Sequence, residues 1–353
     1  MPFFSVIICI YNLSQWINRS VNFILRQDFL DYEILLIDDG STDESASICY
    51  DLEKKYSNIR LISQNNQGVG YARNAGIKNA KGKYICFFDL DDKIHNDWLE
   101  NIYKLIDNKN PDFLIYSYKE LNPKLNVKNA FKFEDRIYES NTEIKTNFID
   151  KLSGIKFNNG FVWNKVYKRD FLLSNNIQFP ALRIQQDEVF NHTVYKYANS
   201  LITSSKILYD YYIYDKGNTR NTFIPDRIKI FVEVKTSFLN LTKYWQLNNS
   251  DLNFYIHSRF VKNSLYNRNP KRSESGREYR NKLFNNDSLN ESAIYMLENS
   301  SGLKLLEKLY INGIIKKSHF LFSLADWASQ SISKGKDFYR WLFRRYIQNT
   351  YSH

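Results

Sequence analysis

The first 118 residues alternate between short apolar runs and amphipathic stretches, and this alternation constrains the fold more than any other feature. Stretches with helical periodicity separate the apolar runs. Each run has the length of a buried strand: FSVIICIY (4–11), YEILLIDDG (32–40), NIRLIS (58–63), GKYICFF (82–88) and PDFLIYSY (111–118). This alternation of strands and helices predicts βαβ units. It therefore predicts an α/β fold in which helices flank a mainly parallel sheet.

The net charge of +11 is concentrated in the last third of the chain. Residues 1–220 hold 28 Lys and Arg against 27 Asp and Glu, whereas residues 221–353 hold 21 against 11. The strand–helix alternation becomes irregular after about residue 120, and the sequence beyond 225 has helical character. We therefore predict an α/β domain over 1–220, with halves at 1–118 and 119–220, and a basic, mostly helical region over 221–353.

Cysteine usage and hydropathy indicate a reducing compartment. The three cysteines stand far apart at positions 9, 49 and 86, a spacing that suits neither a disulfide framework nor a metal cluster. The opening PFFSVIICIYN has no basic segment before it, as a secretory signal would. No window approaches the roughly 18 apolar residues that a membrane span needs. We expect a cytoplasmic protein.

Acidic side chains follow two of the predicted strands. Asp38 and Asp39 end the second strand, and Asp89, Asp91 and Asp92 come directly after the fourth. The carboxyl ends of parallel strands meet at one edge of a sheet, where ligands of open α/β sheets bind. We expect both clusters to face one crevice.

The segment CFFDLDDKIHNDW (86–98) allows four interpretations. A calcium loop is disfavoured because Ile94 stands where the sharp turn needs glycine, and Lys93 stands at a ligand position. A solvated acidic turn explains Asp97 before the next helix but not three carboxylates at a strand end. A catalytic acid pair would be too close together for glycoside hydrolysis, which needs ~5–9 Å between the carboxylates. A divalent-metal site for a nucleotide diphosphate fits best, since Mg²⁺ or Mn²⁺ takes one or two carboxylates plus phosphate oxygens.

Several separated motifs together resemble family 2 glycosyltransferases with the GT-A fold. SVIICIYN, ILLIDDGSTDES, NNQGVGYARNAGIKNAKGKYICFFDLDD, VWNKVYKRDFLLSNNIQFP and QQDEVFN stand in the family's order and at about its spacing, over residues 3 to about 215. Cys9 departs from the pattern, because family members commonly have proline there. The resemblance implies an inverting transfer from a nucleotide sugar, usually a UDP-sugar, with Mn²⁺ or Mg²⁺. The usual acceptor is a glycan or lipid-linked glycan in bacterial surface polysaccharide synthesis.

The resemblance also assigns roles in the nucleotide-binding half, residues 1–118. Four residues would bind the donor nucleotide: Tyr11, Asp39, Arg73 and Asp89. Asp39 would hydrogen-bond the uracil ring, and Tyr11 and Arg73 would line the base pocket. Asp89 would contact the ribose or a metal-bound water, and Asp91 would bind the metal. Asp92 is either a further site residue or a cap for the next turn.

The acceptor half, residues 119–220, supplies the candidate general base. An in-line displacement needs a base on the face opposite the diphosphate. In the segment that corresponds to RIQQDEVFN, family members carry an acidic residue followed by the Asp that acts as the general base. Here Gln186 replaces the acid and Asp187 keeps the base position, with Glu188 as the alternative. A helix first turn, which favours acids, would also explain the charges.

Three further residues have two interpretations each. Trp163 and Lys165, in VWNKVY, would wall the donor pocket and approach the phosphates, but Trp163 could equally belong to the core. His192 could be catalytic, although a structural histidine is the more frequent case.

The basic C-terminal region predicts contact with an anionic membrane surface. FYRWLFRRYIQNTY (338–351) and LYINGIIKKSHFLF (309–322) mix aromatic, aliphatic and basic residues, as membrane-surface helices do. The alternative is that these helices pack on the rest of the protein. No nucleic-acid-binding motif accompanies the charge, so nucleic acid is not an expected partner. The membrane contact would place the protein on the inner face of the cell membrane.

Three other functional classes are disfavoured. A Rossmann dehydrogenase would need glycine at Arg73 in GVGYAR (68–73). A nucleotidyltransferase should carry an early phosphate loop rich in Gly, Arg and Lys, which CIYNLSQWINRS lacks. A decayed membrane-binding protein would not be expected to keep the whole set of candidate site residues.

Overall fold

The structure is a computed structural model that describes residues 1–122, 124, 126–148, 160–214, 223–266, 274–300 and 303–333. The chain divides into two compact units. The first unit comprises Met1–Asn221 and Asn240–Leu247, and the second comprises Thr222–Leu239 and Asn248–His353.

The first unit begins with the predicted alternation, and all five predicted strands and the four helices between them are present. Its strands are β1 (Phe4–Ile10), β2 (Tyr32–Asp38), β3 (Ile59–Ser63), β4 (Tyr84–Phe87), β5 (Lys93–Ile94), β6 (Phe113–Leu121), β7 (Val127–Phe131), β8 (Arg136–Tyr138), β9 (Lys165–Lys168) and β10 (Leu201–Tyr212). Its helices are α1 (Ser14–Leu25), α2 (Ser45–Lys55), α3 (Val69–Asn79), α4 (Trp98–Ile106), α5 (Asn141–Asn147), α6 (Arg169–Ser174) and α7 (Gln186–Tyr197).

These strands form one sheet in the order β3-β2-β1-β4-β9-β6-β10-β5, with β7 on β6 and β8 on β10. The ladders from β3 to β4 are parallel, as predicted, and so is the ladder between β6 and β10. The short strand β9 lies between β4 and β6 and is antiparallel to both. The predicted α/β fold is therefore confirmed, and its parallel character is strongest in the N-terminal part of the sheet.

The strand register brings the polar strand ends together at one edge. Ile10 pairs with Asp38 across β1 and β2, and Ile7 pairs with Phe87 across β1 and β4. The Asp39 amide extends this edge by donating to the Ile10 carbonyl at 2.9 Å. Both acidic clusters thus leave the sheet on the same side.

Helices cover both faces of these strands. On one face, α1 buries Ile17, Val21 and Ile24, whose spacing of four and three residues keeps them on one side of the helix. On the other face, α3 comes very close to β1 because residue 76 is glycine. A Cβ at position 76 would lie 2.5 Å from Ile7 Cγ2. Arg73, one turn earlier on α3, therefore stands beside the end of β1.

The second unit is helical in the part that the structure describes, and the predicted mostly helical C-terminal region is confirmed. Helix α8 (Arg227–Tyr244) begins in this unit and ends in the first. The others are α9 (Ser250–Tyr266), α10 (Glu274–Phe284), α11 (Asp287–Glu298), α12 (Leu305–Ile315) and α13 (His319–Ser333). None of the described helices has the length and apolar character needed to cross a membrane.

The segment 309–322 packs inside the second unit. Most of its apolar side chains are buried there, including those of Leu309, Ile314 and Phe322, whereas Phe320 is exposed. The packing alternative therefore describes most of this segment better than the membrane-surface alternative, because most of the apolar residues that would enter a lipid surface are buried within the protein. The other predicted membrane segment, 338–351, lies outside the described residues.

Candidate active site

Asp39 organises the loop between β3 and α3. It is buried, and its Oδ1 accepts from Gln64 Nε2 at 2.7 Å and from the Gln67 amide at 3.0 Å. Its Oδ2 accepts from the Gly68 amide at 2.8 Å and from Asn66 Nδ2 at 3.3 Å. A uracil contact would have to be added to these four hydrogen bonds. Asp39 shapes the pocket wall in addition to any direct contact.

Tyr11 leaves the sheet directly after β1, at the same edge as Asp39. Its side chain is 48% exposed, which is unusual for a tyrosine at the end of a buried strand. An exposed aromatic ring beside a polar edge is suited to stack on a planar base. The role of Tyr11 in the base pocket stays a prediction.

Arg73 is a buried cation next to the acidic turn. Its Nη2 lies 3.4 Å from Asp89 Oδ1, and its guanidinium faces the ring of Phe179 at 5.4 Å. Asn74 fixes that ring, because it exchanges hydrogen bonds of 2.8 and 2.9 Å with the Phe179 backbone. Nη1 of Arg73 has no hydrogen-bond partner among the described residues. A buried cation with a donor left over is suited to bind an anion.

Arg73 interacts electrostatically with acidic residues from both halves of the site. The negative charges of Asp89 and Asp187 both raise the pKa of Arg73 against the opposing effect of burial. Burial raises the pKa of the nearby Cys9 thiol to about 12, so this thiol is neutral at physiological pH. Cys9 therefore contributes a small neutral surface where family members commonly have proline.

Asp89 and Asp91 present carboxylates at the start of the acidic turn. The side chain of Asp89 is 38% exposed. Desolvation by the surrounding protein, followed by the charge of Asp89, raises the pKa of Asp91 to about 6. A second carboxylate so close would favour a bound cation, which offsets the repulsion.

The structure corrects the alternative in which Asp92 caps the next turn. Asp92 is buried, and its two carboxyl oxygens accept from Tyr209 Oη at 2.8 Å and from the Tyr212 amide at 2.9 Å. Burial, with the charges of Asp91 and Asp89, raises its pKa well above the usual range. Asp92 connects the acidic turn to β10 and caps no turn of its own.

The two carboxylates fit a small divalent cation only in part. Carboxylate oxygens are the ligands that Mg²⁺ and Mn²⁺ prefer. Within the described residues, however, no group of three or more His, Cys, Asp or Glu side chains could hold a metal ion. Asp89 and Asp91 therefore suit an ion that takes its remaining ligands from phosphate oxygens and water.

Asp187 lies in the first turn of α7, partly accessible to solvent. The residue before the helix, Gln185, has a left-handed backbone with φ of 63°. Desolvation raises the pKa of Asp187 to about 6, with further contributions from Glu188 and Asp89, while Arg73 lowers it. The neighbouring Gln186 is buried, and within the described residues its Oε1 has no hydrogen-bond partner.

The alternative base, Glu188, lies beside a histidine of the same helix. Its Oε1 lies 3.8 Å from Nε2 of His192, one turn further along α7, and both side chains are nearly buried. His192 thus contacts Glu188, and the structural interpretation describes its position well. Both residues lie on the same helix as Asp187, whose negative charge raises the pKa of Arg73.

The structure does not support the donor-pocket roles of Lys165 and Trp163. Lys165 is fully buried, and its Nζ donates to the Phe161 carbonyl at 2.5 Å and to Asn164 Oδ1 at 3.1 Å. Burial lowers the pKa of Lys165 to about 7, so its side chain is only partly protonated at neutral pH. It would therefore attract a phosphate less strongly than an ordinary lysine. Trp163 is 2% exposed and stacks on Tyr209 at 4.5 Å, which is the core alternative.

Comparison with known proteins identifies the family. The profile of glycosyl transferase family 2 matches residues 5–172. Residues 5–172, just under half of the chain, are therefore a glycosyl transferase family 2 domain.

The relatives and structural neighbours are consistent with this glycosyltransferase domain. Glycosyltransferase GlyA of Streptococcus pneumoniae is 30% identical over 240 residues, which cover 67% of this chain and 34% of GlyA. A poly(ribitol-phosphate) beta-glucosyltransferase of Bacillus spizizenii is 33% identical over 213 residues, or 59% of this chain and 31% of that protein. The chain thus spans about a third of the length of these relatives.

The fold also matches S. aureus TarS 1-349, solved in complex with UDP. The TM-score is 0.68 at 20% identity, and the match covers 95% of this chain and 92% of the TarS chain. The predicted GT-A fold is confirmed.

Sequence reasoning missed the residues that hold the acidic turn of the glycosyltransferase domain. These are Arg19 and Ser20 on α1 and the tyrosines of β10 and its extension. The tyrosine-rich run YDYYIY (209–214) was a visible signal, but its pairing with a turn about 120 residues earlier was not. Residues 215–220, which follow this run, lie outside the described residues.

Proposed function

We propose that the chain is an inverting, metal-dependent glycosyltransferase. It transfers a sugar from a UDP-sugar to a hydroxyl of a glycan or lipid-linked glycan acceptor in bacterial surface polysaccharide synthesis. The observation that carries this proposal is Arg73, a buried cation that touches Asp89 at 3.4 Å and lies in the field of Asp187. One side chain thereby joins the acidic turn of the donor half to the candidate base of the acceptor half.

The donor side is suited to a nucleoside diphosphate. Arg73 offers the buried donor Nη1, and Asp89 and Asp91 would hold Mn²⁺ or Mg²⁺. When bound, the ion would neutralise charge on the leaving diphosphate. The loop that Asp39 organises and the exposed ring of Tyr11 form the neighbouring wall. The shared fold with the UDP complex of TarS supports uridine as the base.

The acceptor side is suited to deprotonation of a hydroxyl. Asp187 has a pKa raised to about 6, so it is largely unprotonated at neutral pH and is a stronger base than an ordinary aspartate. The charge of Arg73 lowers this pKa, but burial outweighs it, so the pKa of Asp187 stays above the usual range for aspartate. These features support the role of general base for Asp187.

The basic C-terminal region supports a peripheral location on the cytoplasmic face of the cell membrane. Residues 334–353 carry five Lys and Arg against one Asp, interleaved with Trp and Phe. Such a segment is attracted to anionic lipid at about 1 kcal/mol per basic residue. A lipid-linked acceptor would bring the enzyme to that surface.

Calorimetric titration of UDP with and without Mn²⁺ tests the donor assignment. We expect binding that depends on the metal, followed by sugar transfer or slow hydrolysis with one or more members of a UDP-sugar panel. UDP affinity that is unaffected by Mn²⁺, Mg²⁺ or a chelator would contradict the metal assignment. An absence of binding for every nucleoside diphosphate would overturn the proposed function.

A further inference from the structure

The turn Asp89–Asp92 carries the two candidate metal-binding carboxylates, and α1 supports it from one side. Ser20 Oγ donates to the Leu90 carbonyl at 2.5 Å. Arg19 Nη2 lies 3.3 Å from the same carbonyl and 3.4 Å from the Asp92 carbonyl. These contacts fix the backbone of the turn but leave its side chains to other partners.

The end of β10 supports the turn from the other side. Tyr209 Oη donates to Asp92 Oδ2 at 2.8 Å, and the Tyr212 amide donates to Asp92 Oδ1 at 2.9 Å. Tyr214 Oη donates to the Asp91 carbonyl at 3.2 Å. We call Tyr209, Tyr212 and Tyr214 the tyrosine clamp.

The position of the Tyr209 hydroxyl is set by the core rather than by the turn. Tyr209 is fully buried, and its ring stacks on Trp163 at 4.5 Å and 14° and meets Phe88 edge-on at 6.1 Å. Trp163 is fixed in turn, because its carbonyl accepts a hydrogen bond from the Tyr116 hydroxyl. Packing in the core therefore fixes the position of the Tyr209 hydroxyl that donates to Asp92.

We propose that Tyr209 is a positioning residue for the metal-diphosphate site, acting through Asp92. Asp89 and Asp91 repel each other, and a free turn would separate them. By holding Asp92, the clamp keeps both carboxylates at the spacing that one cation needs, so less ordering remains to be done on binding. This inference rests on the proposed function, because it concerns the site for UDP and its metal.

The test compares two substitutions that each remove one buried hydroxyl. Tyr209→Phe keeps the ring but removes the hydroxyl, which donates to Asp92 Oδ2 and accepts from the Asp89 amide at 3.4 Å. Tyr84→Phe is the matched control, because Tyr84 is also fully buried and its hydroxyl bonds to Asn110 and Pro111, away from the acidic turn. UDP affinity is measured by calorimetry with Mn²⁺ and again with a chelator, and thermal unfolding is followed for each protein.

We expect Tyr209→Phe to weaken UDP binding in Mn²⁺ by about tenfold and to leave the chelator value unchanged, whereas Tyr84→Phe changes neither. A purely structural role would lower the melting temperature of both variants without separating the two affinities. A folded Tyr209→Phe protein with wild-type affinity in Mn²⁺ would overturn the proposal.

Two further outcomes have defined meanings. If Tyr209→Phe does not fold, Tyr214→Phe decides, because Tyr214 is only partly buried and its hydroxyl meets Asp91 directly. A metal-specific loss of about threefold in this variant supports the clamp, and an unchanged affinity overturns it. If the wild-type protein itself shows no metal-dependent UDP binding, the proposed function fails, and the clamp's role fails with it.

Discussion

Replacing Asp187 by asparagine should separate catalysis from donor binding. The amide has nearly the same size and can still hydrogen-bond an acceptor hydroxyl, but it cannot take a proton at neutral pH. With a pKa of about 6, about 90% of the Asp187 side chains are unprotonated at pH 7 in the wild-type enzyme. Nearly the whole population is therefore competent, and the substitution removes the full contribution of a general base.

That contribution is typically ~10²–10⁴ in rate, or about 3–5 kcal/mol of transition-state stabilisation. The transfer rate of Asp187→Asn should fall by this factor. UDP-sugar affinity should change little, because the substitution removes a negative charge near Arg73 without touching Asp89 or Asp91. A loss of rate at constant affinity is typical of an interaction made only in the transition state.

The pH profile gives the same assignment a second test. A base acts in its unprotonated form, so kcat/KM of the wild-type enzyme should rise with pH and level off above about 6. Below that value it should fall by about tenfold per pH unit, and the residual activity of Asp187→Asn should lack this dependence on Asp187. Calorimetry at each pH separates this effect from titration of Asp91, which would change UDP–Mn²⁺ affinity instead.

Glu188→Gln is the matched control, since Glu188 lies on the same turn but faces His192. It should keep most of the transfer activity. If Asp187→Asn stays active while Glu188→Gln is dead, the base is Glu188. If both variants stay active, the acceptor half has been interpreted wrongly.

Three other changes give independent predictions. Asp91→Ala should abolish metal-dependent UDP binding in calorimetry while circular dichroism shows an intact fold, and wild-type affinity in this variant would refute the metal assignment. Changing the three arginines within 340–345 to glutamate should weaken binding to anionic vesicles at least 100-fold at low salt, from about 1 kcal/mol per basic residue; equal sedimentation with wild type would contradict the membrane proposal. Gly76→Ala should lower the free energy of unfolding by about 1–3 kcal/mol in urea, because the new Cβ would overlap Ile7; an unchanged midpoint would show that α3 shifts freely.

The N-terminal half of the sheet was predictable because its signals are local. Each of the strands from β1 to β4 is an apolar run of suitable length, and the helix between each pair follows from periodicity. The acidic residues at the ends of β2 and β4 then share an edge by the geometry of parallel strands. The meeting of Asp39 and Asp89 at one edge needed no long-range information, whereas the place of Arg73 came from the resemblance alone.

The acceptor half was less predictable because its contacts are long-range. Nothing local indicates that β9 inserts antiparallel between β4 and β6. Lys165 was predicted to approach phosphates, but burial among backbone carbonyls depends on partners that a sequence pattern does not show. The same holds for 309–322, where the pattern of apolar and basic residues suits a lipid surface and a protein interior equally well.

Strand β10 is synthesised long after the acidic turn that it supports. The residues proposed to contact the donor are all synthesised by position 91, yet the tyrosines that fix the acidic turn follow more than 110 residues later. β10 also lies inside the sheet, between β6 and β5. A nascent chain or fragment that stops at residue 172, where the family profile ends, contains both acids but not their support. We therefore expect the proposed donor site to assemble late in folding, and an expression fragment of this domain to need residues up to 214 for a well-ordered acidic turn.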